Sequence, residues 1–330
     1  MLIKYMVRNI IVFLLVLGVM SCSDMKEIKK LTVNNKVSEL SDTLLLSRVE
    51  NLIGFDGDIY FIEQYRGQIV QLDENLEFKR FIGSRGEGPE ELCHVAGFSL
   101  LGEIVYALDA GCGKMMMFEK MNGNFRGGYQ LFGKMPLMPE FRFVVNPEST
   151  IDISVTAMEG AFGRIDLLTQ QISFWGERSK FDYTDMDRAR NGRFLLKQGP
   201  NYVCVSDNMA NIEIYDCYRK KINDFDYSYL EVVKNRISYL NSMPLKGSNS
   251  YGIICEDAYI EGDILYLLLS SNNKGTYRVN TIASFSLIPP INVKDVFQLP
   301  GRVYSSLCVS KGYLYAFDME KTELCQFVLY

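Results

Sequence analysis

The chain has 330 residues, 48% of them hydrophobic and 23% charged, enough for one large globular domain or two small ones. A formal net charge of −5 excludes nucleic acid as a natural partner, because phosphate binding needs a basic surface. One His and one Trp against 20 Phe and 20 Tyr leave little for zinc ligation and favour β-strands.

The first segment reads as an address. Lys4 and Arg8 precede an apolar run from Ile10 to Val19, interrupted only by Gly18. The run is about half of the roughly 20 residues that a membrane span requires. It closes on Val19-Met20-Ser21-Cys22, the pattern of a lipobox. Residues 1–21 are therefore expected to be a lipoprotein signal peptide, with Cys22 lipidated and holding the protein to a membrane. The alternative is an uncut N-terminal anchor helix. Residues 22–30 read as the lipidated Cys and a short polar tether. Ser23-Asp24-Met25-Lys26 carries one acidic residue, a poor match to a dense acidic surface-export tag. The expected location is the periplasmic side of the outer membrane, with the cell surface as the alternative.

From residue 31 to 330 the chain repeats one phrase six times: a turn residue, an apolar strand, a polar turn and a second strand. The first strands of the six phrases begin at Gly57, Gly102, Ser149, Pro200, Gly262 and Gly312. A spacing of roughly 45–60 residues with several strands per unit is the signature of a β-propeller. The strands are near-continuously apolar because radial packing covers both faces of each blade. The expected fold is thus all-β, a six-bladed β-propeller of four-stranded antiparallel blades in one domain. The sixth unit stops after its third strand, while Lys30 to Val37 has no unit of its own. This segment is expected to supply the outer strand of the last blade and so remove an exposed edge.

Two stretches resist the repeat. Asp182 to Gly192 reads as a polar surface loop. Asp224 to Ser250 is long for a blade connection; Leu230, Val233, Lys234, Ile237 and Leu240 have rough helical spacing, so either a helical insertion or an extended strand with a long loop fits. Seven cysteines follow Cys22, so at least one is unpaired in an exported protein. Most lie in apolar strands and read as small hydrophobes. Cys204–Cys217, on neighbouring strands, is the best disulfide candidate.

The most distinctive string is Ile82-Gly-Ser-Arg-Gly-Glu-Gly-Pro-Glu-Glu-Leu92, followed by Gly102-Glu-Ile-Val-Tyr-Ala-Leu-Asp109 and Met115-Met-Met-Phe118. It resembles an NHL-type propeller repeat. With the lipobox and six units, the chain resembles the TolB-like six-bladed propeller lipoproteins of the Bacteroidetes type. That resemblance implies an exported, membrane-anchored propeller and supplies no catalytic residues.

Gly83, Gly86 and Gly88 do not form a P-loop, since no Gly-Lys-Ser/Thr follows, and they read as a tight crossing between blades. His94, at the start of the inner strand of blade two, is placed near the central channel. Paired with Glu90 or Glu91 it makes a hydrolase or lyase the competing reading. The inner strands show no clear acidic or Asn set for calcium, Phe141 to Val145 and Arg193 to Lys197 having none, so no metal or other cofactor is expected. The leading reading is non-catalytic binding of a glycan, peptide or envelope protein on one face. Its candidate residues are Tyr65, Arg66, Arg85, Glu87, Glu90, His94, Asp109, Asp207, Asn208, Asn211 and Asn272, because loops held by a rigid scaffold carry function. A third reading is a structural subunit of an envelope complex with residues 224–250 as interface.

Overall fold

A computed structural model describes residues 26–41, 44–131, 137–157, 159–180, 190–243, 252–273 and 275–329. Cys22 and the signal peptide lie outside the described residues, as does most of the loop expected at Asp182 to Gly192. Six antiparallel four-stranded sheets follow one another along the chain. Each blade begins with its inner strand: Val49–Phe55, Val95–Leu101, Phe143–Asn146, Arg193–Gln198, Cys255–Glu261 and Tyr304–Ser310. The following strands step outward by hairpins.

The ring holds together because no blade buries both faces alone. The apolar clusters lie between blades rather than within them. Tyr60 and Ile62 of blade one pack with Phe98 and Val105 of blade two. Leu108 and Met115 of blade two meet Phe143 and Ile151 of blade three. Phe162 and Trp175 of blade three meet Leu195 and Tyr202 of blade four. Val203 and Ile212 of blade four meet Leu267 and Phe285 of blade five. The largest cluster joins blades five, six and one, where the two ends of the chain meet.

Closure follows the expected plan. Val33–Val37 pairs antiparallel with Glu323–Val328 as the outer strand of blade six, in the register Val33↔Phe327 to Val37↔Leu324. Asn34 donates to Gln326 at 2.7 Å, and Lys36 pairs with Glu323 at 2.6 Å. Blade five gains a brace from residues expected to belong to the tether. Ile28–Lys30 adds a fifth, parallel strand to the outer edge of blade five, against Val296–Gln298. The propeller therefore begins three residues earlier than expected, and the edge that Asn292–Gln298 would otherwise expose is covered.

The stretch after blade four contains both elements that the sequence left open. Lys221–Asp226 is the outer strand, and the helix α1 (Glu231–Ser242) follows it. Val233 and Arg236 are its buried residues, and the Arg236 guanidinium donates to the Ile253 carbonyl at 2.9 Å and to Asn272. The cysteine pairing differs from expectation. Cys204 is a free thiol buried in the core and Cys217 is free and exposed, while the disulfide joins Cys93 to Cys112. Cys204 sits in the second strand of its blade and points into the packing between blades three and four, so it cannot meet Cys217 in an exposed turn. No helix among the described residues is long and apolar enough to cross a membrane.

Candidate functional site: the channel mouth

Four of the six inner strands start with a β-bulge. The register breaks between Glu50 and Ile53, Val95 and Gly97, Cys255 and Asp257, and Tyr304 and Leu307. A bulge leaves a residue unpaired and re-aims its side chain. Six residues are set free; Leu52 is buried in the core, while Asn51, Ala96, Glu256, Ser305 and Ser306 line one cavity of about 390 Å³ at the mouth of the central channel.

Blade three has no such bulge. Instead Arg142, just before its inner strand, has φ 60°, a left-handed conformation that is costly for a residue with a side chain. This geometry accompanies a guanidinium placed across the channel. Its Nε and Nη2 donate to Asp257 Oδ1 and Oδ2 at 2.9 and 2.7 Å. Nη1 reaches Asn51 Oδ1 at 3.1 Å and the Leu52 carbonyl at 3.0 Å, and Nη2 the Leu307 carbonyl at 3.2 Å. Asp257 also accepts from the Ser306 hydroxyl at 2.6 Å and from the Leu307 and Ala258 amides at 2.9 Å. A buried ion pair holds only when its remaining bonds are made, and this one is bidentate and fully bonded. Arg142 lines both the mouth and a second cavity of about 360 Å³ toward the other end, so it divides the channel. The second cavity is walled largely by Phe98, Leu100, Val145, Leu195 and Leu196.

The mouth is acidic. Glu50 is engaged by Arg48 at 2.7 Å and by the Gln64 amide. Glu140, on the turn Pro139–Phe141, lines the cavity with Asp207 and Glu256, and among the described residues these three carboxylates form no ion pair. Burial raises the Glu256 pKa from its usual 4.5 to about 7; Asp257 adds to the rise, while Arg48 and Arg236 oppose it. Burial pushes Asp207 well above the carboxylate range although two backbone amides oppose the shift, and Glu256 and Glu140 push it further. Glu140 is raised by burial and, less, by Glu50. Met138, Phe141, Phe194 and Ile253 form an apolar wall beside them.

The position of Asp207 comes from a one-residue difference between blades. In blades one, two and six the residue opposite the first inner-strand position is acidic: Val49↔Glu63, Val95↔Asp109 and Tyr304↔Asp318. These carboxylates cap the turn that follows. Asp109 accepts from the amides of Cys93, His94, Gly111 and Cys112 at 2.7–3.1 Å. Asp318 accepts from Glu320 and Lys321, and Glu63 from Arg66 and Ser47. In blade four the equivalent pair is Arg193↔Ser206, and the Ser206 hydroxyl caps the turn by accepting from Met209 N at 3.2 Å. Asp207 is one residue further on, which reverses the face to which a side chain points. Asp207 is 3% exposed, its Oδ1 has no hydrogen-bond partner, and it faces the mouth.

The other sequence candidates lie around this mouth without lining it. Tyr65 is exposed on the rim, where its carbonyl accepts from Arg85 at 3.4 Å. Arg66 follows the Glu63 cap; Glu87 and Glu90 are exposed on the crossing between blades one and two. That crossing is a tight loop closed by Gly86 N to Leu92 O and by Glu91 N to Gly88 O, with the Glu91 carboxylate accepting from Gly88 N. His94 is exposed and outside the cavity lining, so the expected placement of its ring in the channel is not found. Asn208 donates to the Arg190 carbonyl at 2.9 Å, Asn211 begins a strand opposite Asp226, and Asn272 accepts from Arg236. Among the described residues, the one group with metal-ligand spacing is Cys93, Asp109 and Cys112, whose sulfurs form the disulfide and whose carboxylate holds four amides. Glu50, Glu140, Arg142, Glu256 and Asp257 were absent from the sequence candidates. The expectation that the inner strands lack an acidic set is corrected by the Cys255-Glu-Asp257 start of blade five, a signal visible in the sequence.

Residues 39–131 match the family model DUF5128, described as a 6-bladed beta-propeller. Among solved structures, the chain is similar to a protein of Bacteroides fragilis designated an exported protein, with 12% identity, 93% and 96% of the two chains covered and a TM-score of 0.62. It is equally similar to a DUF4221 family member from Bacteroides vulgatus, with 12% identity, coverage of 92% and 98% and a TM-score of 0.63. A protein of unknown function from Bacteroides thetaiotaomicron shares 8% identity over 91% and 74% of the chains, with a TM-score of 0.54. At these identities the likeness carries the fold alone. No curated protein matches the sequence.

Proposed function

We propose that this propeller is a ligand-binding module of the cell envelope that takes a small ligand at the channel mouth without turning it over. The observation that carries the reading is the cavity of about 390 Å³, built from bulged inner strands and floored by the Arg142–Asp257 pair. Its size falls within the range of small-molecule sites, and its side chains are held by rigid strands rather than by loops. A site whose floor is already hydrogen-bonded loses little freedom when a ligand arrives.

The envelope assignment rests on the lipobox ending at Cys22 and on the Cys93–Cys112 disulfide, a bond that persists in oxidising compartments. The export designation of the Bacteroides fragilis neighbour accords with it. We place the protein on the periplasmic side of the outer membrane, anchored through Cys22. Replacement of Cys22 by Ser should move the protein from the membrane fraction to the soluble one.

The binding reading is tested by thermal shift with a panel of neutral oligosaccharides, short peptides and amines, since a ligand of the native state raises Tm by mass action. At least one class should raise Tm in the wild type and lose that effect in Ala96→Trp, which fills the mouth. A shift that survives Ala96→Trp, or no shift with any class, contradicts a ligand site in the channel. The hydrolase reading loses its geometric support, because His94 is exposed outside the cavity.

A further inference from the structure

We infer that the channel mouth binds an organic cation, an ammonium or guanidinium carried on a short hydrocarbon body. The inference rests on the binding reading above and names its ligand class. Five carboxylates line the mouth: Glu50, Glu140, Asp207, Glu256 and Asp257. Two guanidiniums line it as well, and each is already occupied, Arg142 by Asp257 and Arg48 by Glu50. Glu140, Asp207 and Glu256 remain as acceptors facing the cavity.

Asp207 distinguishes this arrangement from an ordinary solvated acidic rim. It is 3% exposed, and one carboxylate oxygen lacks any hydrogen-bond partner. A buried acceptor left unbonded is destabilising, because it gives up its hydrogen bond to water and gains none in the fold. The other blades show that the fold has no structural need for this. In blades one, two and six the acidic residue at the turn is consumed by backbone amides, whereas in blade four Ser206 performs the capping and Asp207 Oδ1 is left without a partner. An N–H donor supplied by a ligand satisfies it.

The geometry selects an organic cation over a metal ion. Among the described residues, no three of the mouth carboxylates bring oxygens within 4.8 Å of one another, as a single ion requires. Acceptors spread around a cavity suit a molecule with several separated N–H groups. The apolar wall beside the carboxylates supplies the rest. Phe141 and Phe194 stack edge to face with centroids 5.2 Å apart and, with Met138 and Ile253, line the same cavity. An apolar wall receives a methylene chain, and aromatic rings attract a cation within about 6 Å of their faces.

The test is calorimetric titration of the full chain at pH 8 with agmatine and cadaverine, using 1,5-pentanediol as the uncharged analogue of cadaverine and CaCl₂ as the inorganic cation. Agmatine and cadaverine should bind, pentanediol at least tenfold more weakly, and Asp207→Asn should weaken both amines at least tenfold. Glu140→Gln, at a site less buried in the fold, should weaken them in the same direction with an unchanged melting curve, which guards against misfolding of the Asp207 variant. Equal binding of pentanediol, displacement of the amines by CaCl₂, or full affinity in both variants overturns the cation inference. If a neutral oligosaccharide then raises Tm and Ala96→Trp abolishes the effect, the binding reading stands without it. If the panel gives no response at all, both fall.

Discussion

At the scale of single residues, the mouth buries acidic groups whose ionisation the fold opposes. Arg142→Met strands Asp257 without its counter-charge and should cost about 3–5 kcal/mol in denaturant unfolding; adding Asp257→Asn should recover part of that loss. Full stability in Arg142→Met contradicts the role of the pair as the channel floor. Glu256 gives a pH signature. Its folded pKa of about 7 lies above the ordinary 4.5, so the folded chain holds the proton more tightly than the unfolded chain. This term favours folding fully below about pH 4.5 and is lost as pH rises through 7. The Tm of the wild type should therefore fall between pH 5 and 8 by more than that of Glu256→Gln. Parallel curves would show that Glu256 ionises freely in the fold. Little of this chemistry was legible beforehand. Glu256 and Asp257 stand in plain sight at the start of blade five, yet alternation places one of two successive side chains on each face, and only the bulge puts both toward the channel. The same holds for Asp207, which reads in sequence like Asp109 and Asp318 and differs only in register.

At the scale of elements, turns and bulges decide what repeats do. Strands were readable because packing on both faces demands unbroken apolar runs, a constraint that leaves a direct trace in composition. The Cys93–Cys112 bridge was also within reach. Once Val95 is set opposite Asp109, Cys93 lies just before one strand and Cys112 just after the next, on the same side of the hairpin. The Cys204–Cys217 alternative weighed adjacency of strands without their burial. The bridge clamps the Asp109 turn across a 19-residue separation. Replacing both cysteines by Ala should cost about 3 kcal/mol on the loop-entropy model, read as a lower denaturant midpoint. Identical midpoints with and without the bridge would show that the four amide bonds to Asp109 fix the turn unaided. Helix α1 was half legible, because its apolar spacing was present but its anchor, Arg236 bonded to Ile253 and Asn272, joins residues far apart in sequence.

At the scale of the whole molecule, the ring is only as stable as its seam. Blade six joins three strands from the C-terminal end of the chain to one from the N-terminal end, and blade five is braced by Ile28–Lys30. The unpartnered segment before blade one and the missing fourth strand of the last unit made this closure legible. The additional parallel strand was not, since Ile28-Lys29-Lys30 is too short, and two-thirds charged, to carry a strand signal. Deleting residues 31–42 should sharply lower Tm, because it exposes the edge of Glu323–Val328 and opens the largest apolar cluster. An unchanged Tm contradicts closure by this segment. A closed, rigid ring is also what allows four bulged strands to present their side chains to one cavity. The most direct test of the account is a crystal structure of the protein grown with agmatine. The guanidinium should lie within hydrogen-bond distance of Asp207 Oδ1, with its methylene chain against Phe141 and Phe194. Agmatine bound on the outer rim beside Tyr65 and Arg85, with the mouth unchanged, would contradict it.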